Sequence, residues 1–509
     1  MSTLAPPRSR SLRRASFVVG PAFVWLVGVS SIAGCSHDWD AYDPRLGGSG
    51  GSGANGGTGG GTTSTGGTTS TGGTTSSGGT TSTGGTTSTG GTTSSTSTGG
   101  VGGGGTGGEG PGGGGGGPTL CGGTSVLADD FPGGDPGELW DQGSWGGAAI
   151  AETGGELVIT LPANSPDHSG AFRGTERYYD FRGDAVSIEV TSAADPMTTA
   201  YAYFSLGIDD DNYIEIYQED GVLYLGREVA DAYVLLKTTL YDPLAHRHWR
   251  FREDGVTTYF ETSSDGADWV VQTQTPSIEL FPLDFVQIAL GAGVGPLQPS
   301  PIEARFDHVN GGAPKQKWCP ASSITDDFED GMEGILWARS WADAPGLLTE
   351  GSGQLVLAFP PNDTLYATRY SARSYELTES AIVLEVPVAP GATSKTETSF
   401  HLHGPGDDAI KIDKNQSQLR FRFDVADVTT DVASVLYSPV QHRWWRIREA
   451  SNTLFWETSP DGKVWTTQAQ YSPVPIPIDA LDVEIGGGSF ELQPDPGAAH
   501  FDNLNLPPP

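Results

Sequence analysis

Residues 442–449 read His-Arg-Trp-Trp-Arg-Ile-Arg-Glu, and residues 246–253 read His-Arg-His-Trp-Arg-Phe-Arg-Glu. Successive side chains of a β-strand point to opposite faces, so each stretch sorts into two rows. One row holds Trp445 and Ile447, with aromatic residues at the matching positions of the first stretch, and is expected to face a hydrophobic core. Further short runs of β-branched and aromatic residues, bounded by turn residues, predict an all-β protein.

Both stretches belong to a longer internal repeat whose offset stays between 195 and 197 residues. The other repeated motifs are Asp129-Asp130-Phe131 with Asp326-Asp327-Phe328, Thr262-Ser263-Ser264-Asp265-Gly266 with Thr458-Ser459-Pro460-Asp461-Gly462, and Phe306-Asp307-His308-Val309-Asn310 with Phe501-Asp502-Asn503-Leu504-Asn505. This period is far longer than a solenoid unit, so it indicates tandem duplication of a whole domain. Roughly a dozen short strands per copy predict two tandem antiparallel β-sandwiches of jelly-roll kind.

These motifs resemble a concanavalin A-like lectin/glucanase jelly roll. The likeness rests on the Asp-Asp-Phe opening, the central HRWWRIRE-like strand, the Ser-Pro-Asp-Gly hairpin followed by Trp, and the Phe-Asp-Asn close. More narrowly, they are similar to sandwich domains on surface lipoproteins of myxobacteria-like organisms. The resemblance implies the fold over about residues 125–310 and 322–506, but that superfamily includes lectins, glycanases and interaction modules.

The N-terminal region has the order of a secretory signal peptide. Four arginines between Arg8 and Arg14 precede an apolar run from about Phe17 to Ile32. The following Ala-Gly-Cys resembles a bacterial lipobox, which implies cleavage before Cys35 and a lipid on its thiol. An ordinary signal peptide and a retained anchor are the alternatives. We therefore expect an exported protein, lipid-anchored to the cell envelope, with Ser36 favouring the outer membrane.

Composition divides the rest of the chain. Residues 47–118 are almost entirely Gly, Thr and Ser, which cannot bury enough apolar area to fold and predict a disordered tether. The expected order is a signal peptide (1–34), a lipidated N-terminus (35–46), the tether (47–118), a first jelly roll (119–313) and a second (314–509).

The net charge argues against one class of binding partner, and the cysteines predict a disulfide. The net charge of −34 repels phosphate backbones, so nucleic-acid binding is not expected. Cys121 and Cys319 lie on either side of the first predicted jelly roll, and in an exported protein they are expected to form a disulfide. Two free thiols too far apart to bond are the alternative.

The side chains of residues 442–449 and 246–253 that point away from the predicted core form a candidate glycan-binding face. A flat ring and planar guanidinium donors are what carbohydrate sites use. We expect Trp444 to be exposed there and to make the second copy the better site. The alternative is an outer face whose arginines pair with carboxylates on neighbouring strands. The candidate residues are His442, Trp444, Arg446 and Arg448, with His246, His248, Arg250 and Arg252 in the first copy.

Aspartates near the ends of each copy are candidate cation ligands, because the terminal strands of a jelly roll lie side by side. Their carboxylates would suit a structural Ca²⁺ ion, and no other cofactor is expected. Ordinary turn residues without an ion are the alternative. The candidates are Asp129, Asp130, Asp307, Asp326, Asp327 and Asp502.

Catalysis is not expected. Sandwich glycanases of the laminarinase type carry a Glu-x-Asp-x-x-Glu strand that aims carboxylates into one cleft. The nearest run, Glu215–Glu219, lacks the central Asp, and no other catalytic motif is present. We predict a non-catalytic module that binds an extracellular glycan or a surface partner. A divergent glycoside hydrolase and a purely structural surface protein are the alternatives.

Overall fold

The computed structural model describes residues 121–508 apart from 134–138, 194–198, 296–299, 315 and 332–333. The predicted signal peptide, the lipidated Cys35 and the tether lie outside the described residues. Within the described ranges, no helix has the length and apolar character needed to cross a membrane.

The first sandwich consists of two antiparallel sheets. Sheet 1A has the strand order β1-β4-β13-β6-β7-β8-β9, and sheet 1B has the order β12-β11-β10-β5-β14-β3-β2. The strands are β1 (Trp140–Trp145), β2 (Ala149–Glu152), β3 (Leu157–Leu161), β4 (Gly170–Thr175), β5 (Ala185–Ser192), β6 (Ala200–Asp209), β7 (Asn212–Glu219), β8 (Val222–Val229), β9 (Tyr233–Leu240), β10 (His248–Glu253), β11 (Thr257–Ser263), β12 (Trp269–Pro276), β13 (Gln287–Val294) and β14 (Ile302–Asp307).

The second sandwich repeats this arrangement. Sheet 2A has the order β15-β19-β28-β21-β22-β23-β24, with β16 also paired to β19, and sheet 2B has the order β17-β18-β29-β20-β25-β26-β27. The strands are β15 (Cys319–Pro320), β16 (Trp341–Ala342), β17 (Leu348–Glu350), β18 (Leu355–Ala358), β19 (Tyr366–Glu376), β20 (Ala381–Val388), β21 (Thr396–His403), β22 (Ala409–Asn415), β23 (Gln418–Val425), β24 (Val428–Leu436), β25 (Trp444–Ala450), β26 (Thr453–Ser459), β27 (Thr466–Tyr471), β28 (Leu481–Ser489) and β29 (Ala498–Asp502).

The prediction of an all-β fold with antiparallel sandwiches is confirmed. The helices of the described residues are single 3₁₀ turns at Thr124–Val126, Ser277–Glu279, Ala321–Ser323 and Ile335–Trp337. The β15–β19 pair, two residues long, is the parallel pairing between strands in the described chain. Everywhere else, neighbouring strands can therefore be joined by hairpins or by connections that return across the sandwich.

The two stretches 246–253 and 442–449 form most of β10 and β25, which lie in the interior of sheets 1B and 2B. Trp249 and Phe251 are fully buried, as are Trp445 and Ile447. The period-two prediction for this core-facing row is therefore correct. Each such side chain contributes roughly 1.5–3 kcal/mol by leaving water, which makes the strand a strong determinant of the sandwich core.

The motifs Phe306–Asn310 and Phe501–Asn505 connect the end of each sandwich to its beginning. The Asn310 amide donates to the backbone carbonyls of Thr124 and Leu127, and its oxygen accepts the Ser187 N–H. Asn505 makes the same bonds in the second sandwich, to Ala321, Ile324 and Val383. One side chain thus satisfies backbone groups from two distant segments, which explains why the motif recurs with Asn at this position.

The two sandwiches contact each other directly. Cys121 and Cys319 form a disulfide with a Cα–Cα distance of 4.7 Å, so the alternative of separated free thiols does not hold in this structure. Arg177 of the first sandwich bonds both carboxylate oxygens of Asp482, at 3.1 and 3.2 Å. Asp482 is buried, and its pairing offsets the cost of removing its charge from water.

Candidate functional site

The predicted exposure of Trp444 is wrong. Only 2% of this residue is exposed. The hairpin after β26 folds over the indole: a Cβ added at Gly462, whose φ is +69°, would lie 3.0 Å from the Trp444 ring and from Pro508. Trp444 is therefore packed beneath the hairpin and the C-terminal segment, although it points away from the core between the sheets.

The arginines of this face are engaged within the protein. Arg446 and Arg448 both donate to the Glu457 carboxylate, and their guanidinium groups lie 4.1 Å from the ring centroids of Trp465 and Phe455. In the first sandwich, the same pattern involves Arg250 and Arg252 with Glu261, over the rings of Trp269 and Tyr259. This agrees with the alternative in which arginines pair with carboxylates on the neighbouring strand.

The histidines of this face are likewise occupied. Nδ1 of His246 accepts the Asp242 N–H and Nδ1 of His442 accepts the Ser438 N–H, each at 3.1 Å. His248 packs edge-on against Trp269. Because the ring and the donors of the row already have partners, this face gives no argument for a glycan site.

Some of the candidate calcium ligands have structural roles. Asp129 accepts the Phe131 N–H at 2.8 Å and the Trp140 indole N–H at 2.7 Å. Asp326 makes the same bonds to Phe328 and Trp337. Asp327 accepts the Glu329 N–H, while Asp502 accepts the Asn503 N–H and a Gln354 amide hydrogen. These carboxylates accept hydrogen bonds from nearby backbone groups, and those of Asp129 and Asp326 also fix the tryptophan that follows each Asp-Asp-Phe motif.

Asp130 and Asp307 do come together, with a neighbour that the sequence reasoning missed. His308 offers a nitrogen, and donor atoms of the three residues lie within 4.8 Å of one another. His308 and Asp130 are about half exposed, and in the second sandwich Asn503 stands at the position of His308. The cluster is a solvated surface group rather than an enclosed cation cage.

Sheet 1A carries a second set of polar residues that the sequence reasoning discounted. On β7, Ile214 and Ile216 enter the core between the sheets, while Tyr213, Glu215 and Tyr217 lie on the opposite face. Glu215 stands opposite Gly226 of β8, and Glu228 stands opposite Tyr213. The two glutamates are therefore diagonal neighbours on one face, a relation that separates Cα atoms by about 7–8 Å.

The two carboxyl groups have different environments. Glu215 is 2% exposed, and one of its oxygens has no hydrogen-bond partner. Burial and, to a lesser extent, the negative charge of Glu228 raise the pKa of Glu215 to about 8, although the Tyr233 hydroxyl beside it opposes the shift. Glu228 accepts a hydrogen bond of 2.6 Å from the Tyr213 hydroxyl. At neutral pH, Glu215 is thus a proton donor beside a hydrogen-bonded carboxylate.

Tyrosine rings surround this pair. Tyr217 and Tyr224 stack with centroids 4.7 Å apart and planes 6° apart, and Tyr201 lies next to Tyr203. The ring of Tyr203 lies against β13, where a Cβ at Gly291 would be 2.6 Å from it. Flat rings beside a proton-donating carboxyl group are the combination that sugar-binding sites use for the apolar face of a pyranose.

The second sandwich has replaced this pair. By strand register, Lys411 stands where the first sandwich has Glu215, and Asp424 stands where it has Glu228. Lys411 and Asp424 form an ion pair of 2.5 Å. A carboxyl group with a raised pKa and a free oxygen is therefore a feature of the first sandwich at these matched positions.

Sheet 2A instead carries a histidine cluster. His401 and His403 lie on β21, and Glu484 of β28 is directly opposite His401. His401 Nδ1 is 3.2 Å from Glu484 Oε2, and His401 Nε2 is 2.5 Å from Asp413 Oδ1. Arg422 donates to the other oxygen of Asp413. The sequence signal for this cluster was the alternation His401-Leu402-His403, with no indication of the distant Glu484.

The charges of this cluster stabilise one another. Burial alone would lower the pKa of His401, but the carboxylates of Asp413 and Glu484 raise it to about 9. Burial opposes ionisation of Asp413, yet the charges and hydrogen bonds of His401 and Arg422 bring its pKa down to about 2. The buried groups are thus held in their charged forms by their partners.

No protein-family model matches the chain, and no curated protein matches it. Solved structures do. A laminarinase catalytic domain from Thermotoga petrophila is 11% identical, with a TM-score of 0.29, and covers 36% of this chain and 95% of its own. A glycoside hydrolase family 16 protein from Bacteroides ovatus is 10% identical, with a TM-score of 0.29, and covers 36% and 98%. The endo-β-1,3(4)-glucanase SCLam is 11% identical, with a TM-score of 0.29, and covers 36% and 88%.

These similarities concern the fold alone, and the antiparallel sandwiches expected from the sequence are given by the strand order of the structure itself. The prediction that the chain is not an enzyme is contradicted by this comparison, in which the structures of similar fold include endo-glucanases.

Proposed function

We propose that the first sandwich hydrolyses glycosidic bonds of an extracellular polysaccharide, with Glu215 and Glu228 as its two carboxyl groups. Most glycosidases use such a pair, in which one group protonates the leaving oxygen and the other acts as base or nucleophile. The observation that carries the proposal is the placement of both carboxyl groups on one face of neighbouring strands, among tyrosine rings.

The environments assign the two roles. Glu215 keeps its proton at neutral pH because burial raises its pKa to about 8, so it is the general acid. Glu228, whose oxygen accepts the Tyr213 hydroxyl hydrogen, is the base or nucleophile. Their diagonal relation places both side chains on one face, with Cα atoms about 7–8 Å apart.

The tyrosines supply the sugar-binding surface. Tyr224 and Phe172 are half-buried at the rim of the ring cluster, whereas Tyr217 lies deeper. Stacking of a pyranose on such rings adds about 1 kcal/mol per contact beyond its hydrogen bonds. We expect the rim rings to admit the polysaccharide and the inner rings to hold it beside Glu215.

The N-terminal region would set where this reaction takes place. A lipid on Cys35 and a Gly/Thr/Ser tether over residues 47–118 would hold the sandwiches at the cell envelope, at a distance from the membrane. A polymer outside the cell would then be the substrate within reach, and surface glycans would be the partners of the protein.

The test measures reducing ends released from 1,3-β-glucan and mixed-linkage β-glucan by the purified full chain. These polymers are chosen because they relate to the structurally similar enzymes described above. Glu215→Gln and Glu228→Gln are each expected to lower kcat/KM by about 10²- to 10⁴-fold, the usual contribution of a general acid or base.

Asp424→Asn is the matched control, since Asp424 occupies the position of Glu228 in the second sandwich. It is expected to leave hydrolysis unchanged, and circular dichroism verifies the fold of each variant. The assignment fails if the folded wild-type chain cleaves neither polymer, or if Glu215→Gln retains wild-type activity.

A further inference from the structure

Three metal-ligating side chains meet on the outer face of sheet 2A, away from the proposed hydrolytic pair. His401 and His403 alternate on β21, and Glu484 faces them from β28. One donor atom from each residue lies within 4.8 Å of the other two. His401 and Glu484 are buried, and His403 is half-buried. The group is therefore enclosed on one side and reachable from solvent on the other.

The donor atoms converge on a single oxygen. Oε2 of Glu484 lies 3.2 Å from His401 Nδ1 and 3.0 Å from the Tyr370 hydroxyl, and it also contacts His403 Nε2. Imidazole nitrogens approach a carboxylate oxygen as N–H donors or when both bind one cation. A convergence of two imidazoles on one carboxylate is thus a geometry in which an ion can replace the protons.

The surroundings orient His401 for coordination. Its Nε2 is 2.5 Å from Asp413, which Arg422 in turn holds at 2.8 Å. With Nε2 donating its hydrogen to Asp413, a metal ion displaces the hydrogen of Nδ1, the nitrogen that faces Glu484, and binds the lone pair released there. Metal-binding histidines are commonly held by a second carboxylate in this manner, because it fixes both the tautomer and the ring orientation.

We propose that His401, His403 and Glu484 bind a Zn²⁺ ion, with Asp413 as the positioning residue of His401. Two imidazoles and one carboxylate form a donor set that Zn²⁺ accepts with tetrahedral geometry. Ca²⁺ and Mg²⁺ prefer oxygen ligands throughout, so the two nitrogens disfavour them. The fourth position falls to water or to the Tyr370 hydroxyl, which lies 3.3 Å from His403 Nε2.

The first sandwich provides an internal comparison. Strand register places Ser205, Gly207 and Ala289 at the positions of His401, His403 and Glu484. None of these offers a strong metal ligand, so the ion belongs to the second sandwich. The inference is independent of glycan hydrolysis and is tested by binding rather than by activity.

The experiment titrates ZnCl₂ into the EDTA-stripped full chain and measures binding by calorimetry. We expect a site with a Kd below about 1 μM. His403→Gln is expected to weaken this binding by about 100-fold, and Asp413→Asn by about 10- to 100-fold, the range found for ligands and their supporting carboxylates. His308→Gln is the matched control from the exposed Asp130–Asp307 cluster and should leave the affinity unchanged.

Histidine modification of the wild-type chain tests the site without any variant. Zn²⁺ is expected to protect half-buried His403 from diethyl pyrocarbonate, as read by mass mapping, while His308 stays reactive. The proposal is overturned if the folded wild-type chain binds no Zn²⁺ at 100-fold above the expected Kd. It is equally overturned if His403 stays unprotected, or if His308→Gln and not His403→Gln removes the ion.

Discussion

At the scale of single residues, two positions of a duplicated sheet distinguish the chemistry of the sandwiches. Glu215 and Glu228 in the first become Lys411 and Asp424 in the second. Burial and, to a lesser extent, the charge of Glu228 raise the pKa of Glu215, whereas Lys411 and Asp424 form an ion pair. The first face therefore keeps a proton at neutral pH, and the second keeps a neutralised ion pair.

The raised pKa of Glu215 has a consequence for stability. Below a pH of about 4.5, the group is protonated in both the folded and the unfolded chain and contributes no difference. As the pH rises from about 4.5 to about 8, the unfolded chain loses this proton first, so the free energy of unfolding falls. Above pH 8 the loss is complete and on the order of 5 kcal/mol. Glu215→Gln should therefore melt about 5–10 °C above wild type at pH 8 and together with it at pH 4.

The melting temperatures come from calorimetry or circular dichroism at both pH values. Asp268→Asn, at an exposed position, is the control and should follow wild type at each pH. Equal melting temperatures of wild type and Glu215→Gln at pH 8 would show that Glu215 is ionised without cost, and the assignment of a buried general acid would be lost.

At the scale of the secondary-structure elements, glycines let the tyrosines lie against sheet 1A. Tyr203 of β6 stands opposite Gly291 of β13, and a Cβ on this glycine would come within 2.6 Å of the ring. Because Tyr203 is almost fully buried, its ring cannot move aside easily. Gly291→Ala should lower the free energy of unfolding by about 1–3 kcal/mol, measured from the urea midpoint.

Gly174→Ala on the adjacent β4 is the matched control. A Cβ there meets the Phe172 ring at 3.6 Å, an ordinary contact, so the variant should be neutral or slightly stabilising. If both variants have the same midpoint, the close packing of the Tyr203 ring on β13 does not contribute to stability.

At the scale of the whole molecule, the chain presents two sandwiches of one topology with different faces. The disulfide Cys121–Cys319 and the Arg177–Asp482 pair connect them, so the proposed hydrolytic and zinc-binding faces belong to one compact unit. The tether predicted from the sequence and the proposed lipid would hold that unit near the membrane.

The proposed anchor gives the prediction for the whole chain. Cys35→Ala should block lipidation and processing, so that the precursor accumulates and the mature form is lost from the membrane fraction. Labelling with a palmitate analogue and immunoblotting of cell fractions measure both effects. Cys121→Ser is the control for loss of a cysteine and should still be labelled. Processing of Cys35→Ala at wild-type levels would mean that the segment is an ordinary signal peptide.

The fold class follows from the sequence alone, as does the face of the central strands that packs on the core. Trp445 and Ile447 alternate with polar residues, and in a strand this period of two places both apolar side chains on the face toward the core. The repeat of the Asn310 and Asn505 motifs is also visible in the sequence, although their hydrogen bonds to Ser187 and Val383 join segments 123 and 122 residues apart. Side-chain alternation along a strand and an internal repeat can both be recognised from the order of residues alone.

The candidate sites depend on contacts between segments that are distant in the sequence. Trp444 points away from the core, as expected, yet the hairpin at Gly462 and Pro508 cover it. His401 and Glu484 are separated by 83 positions and meet because β21 pairs with β28. Glu215 gains its raised pKa from burial and from Glu228 on the next strand. Segments distant in sequence set the strand register and cover the faces of the sheets. The alternation of side chains along one strand does not indicate which segments these are.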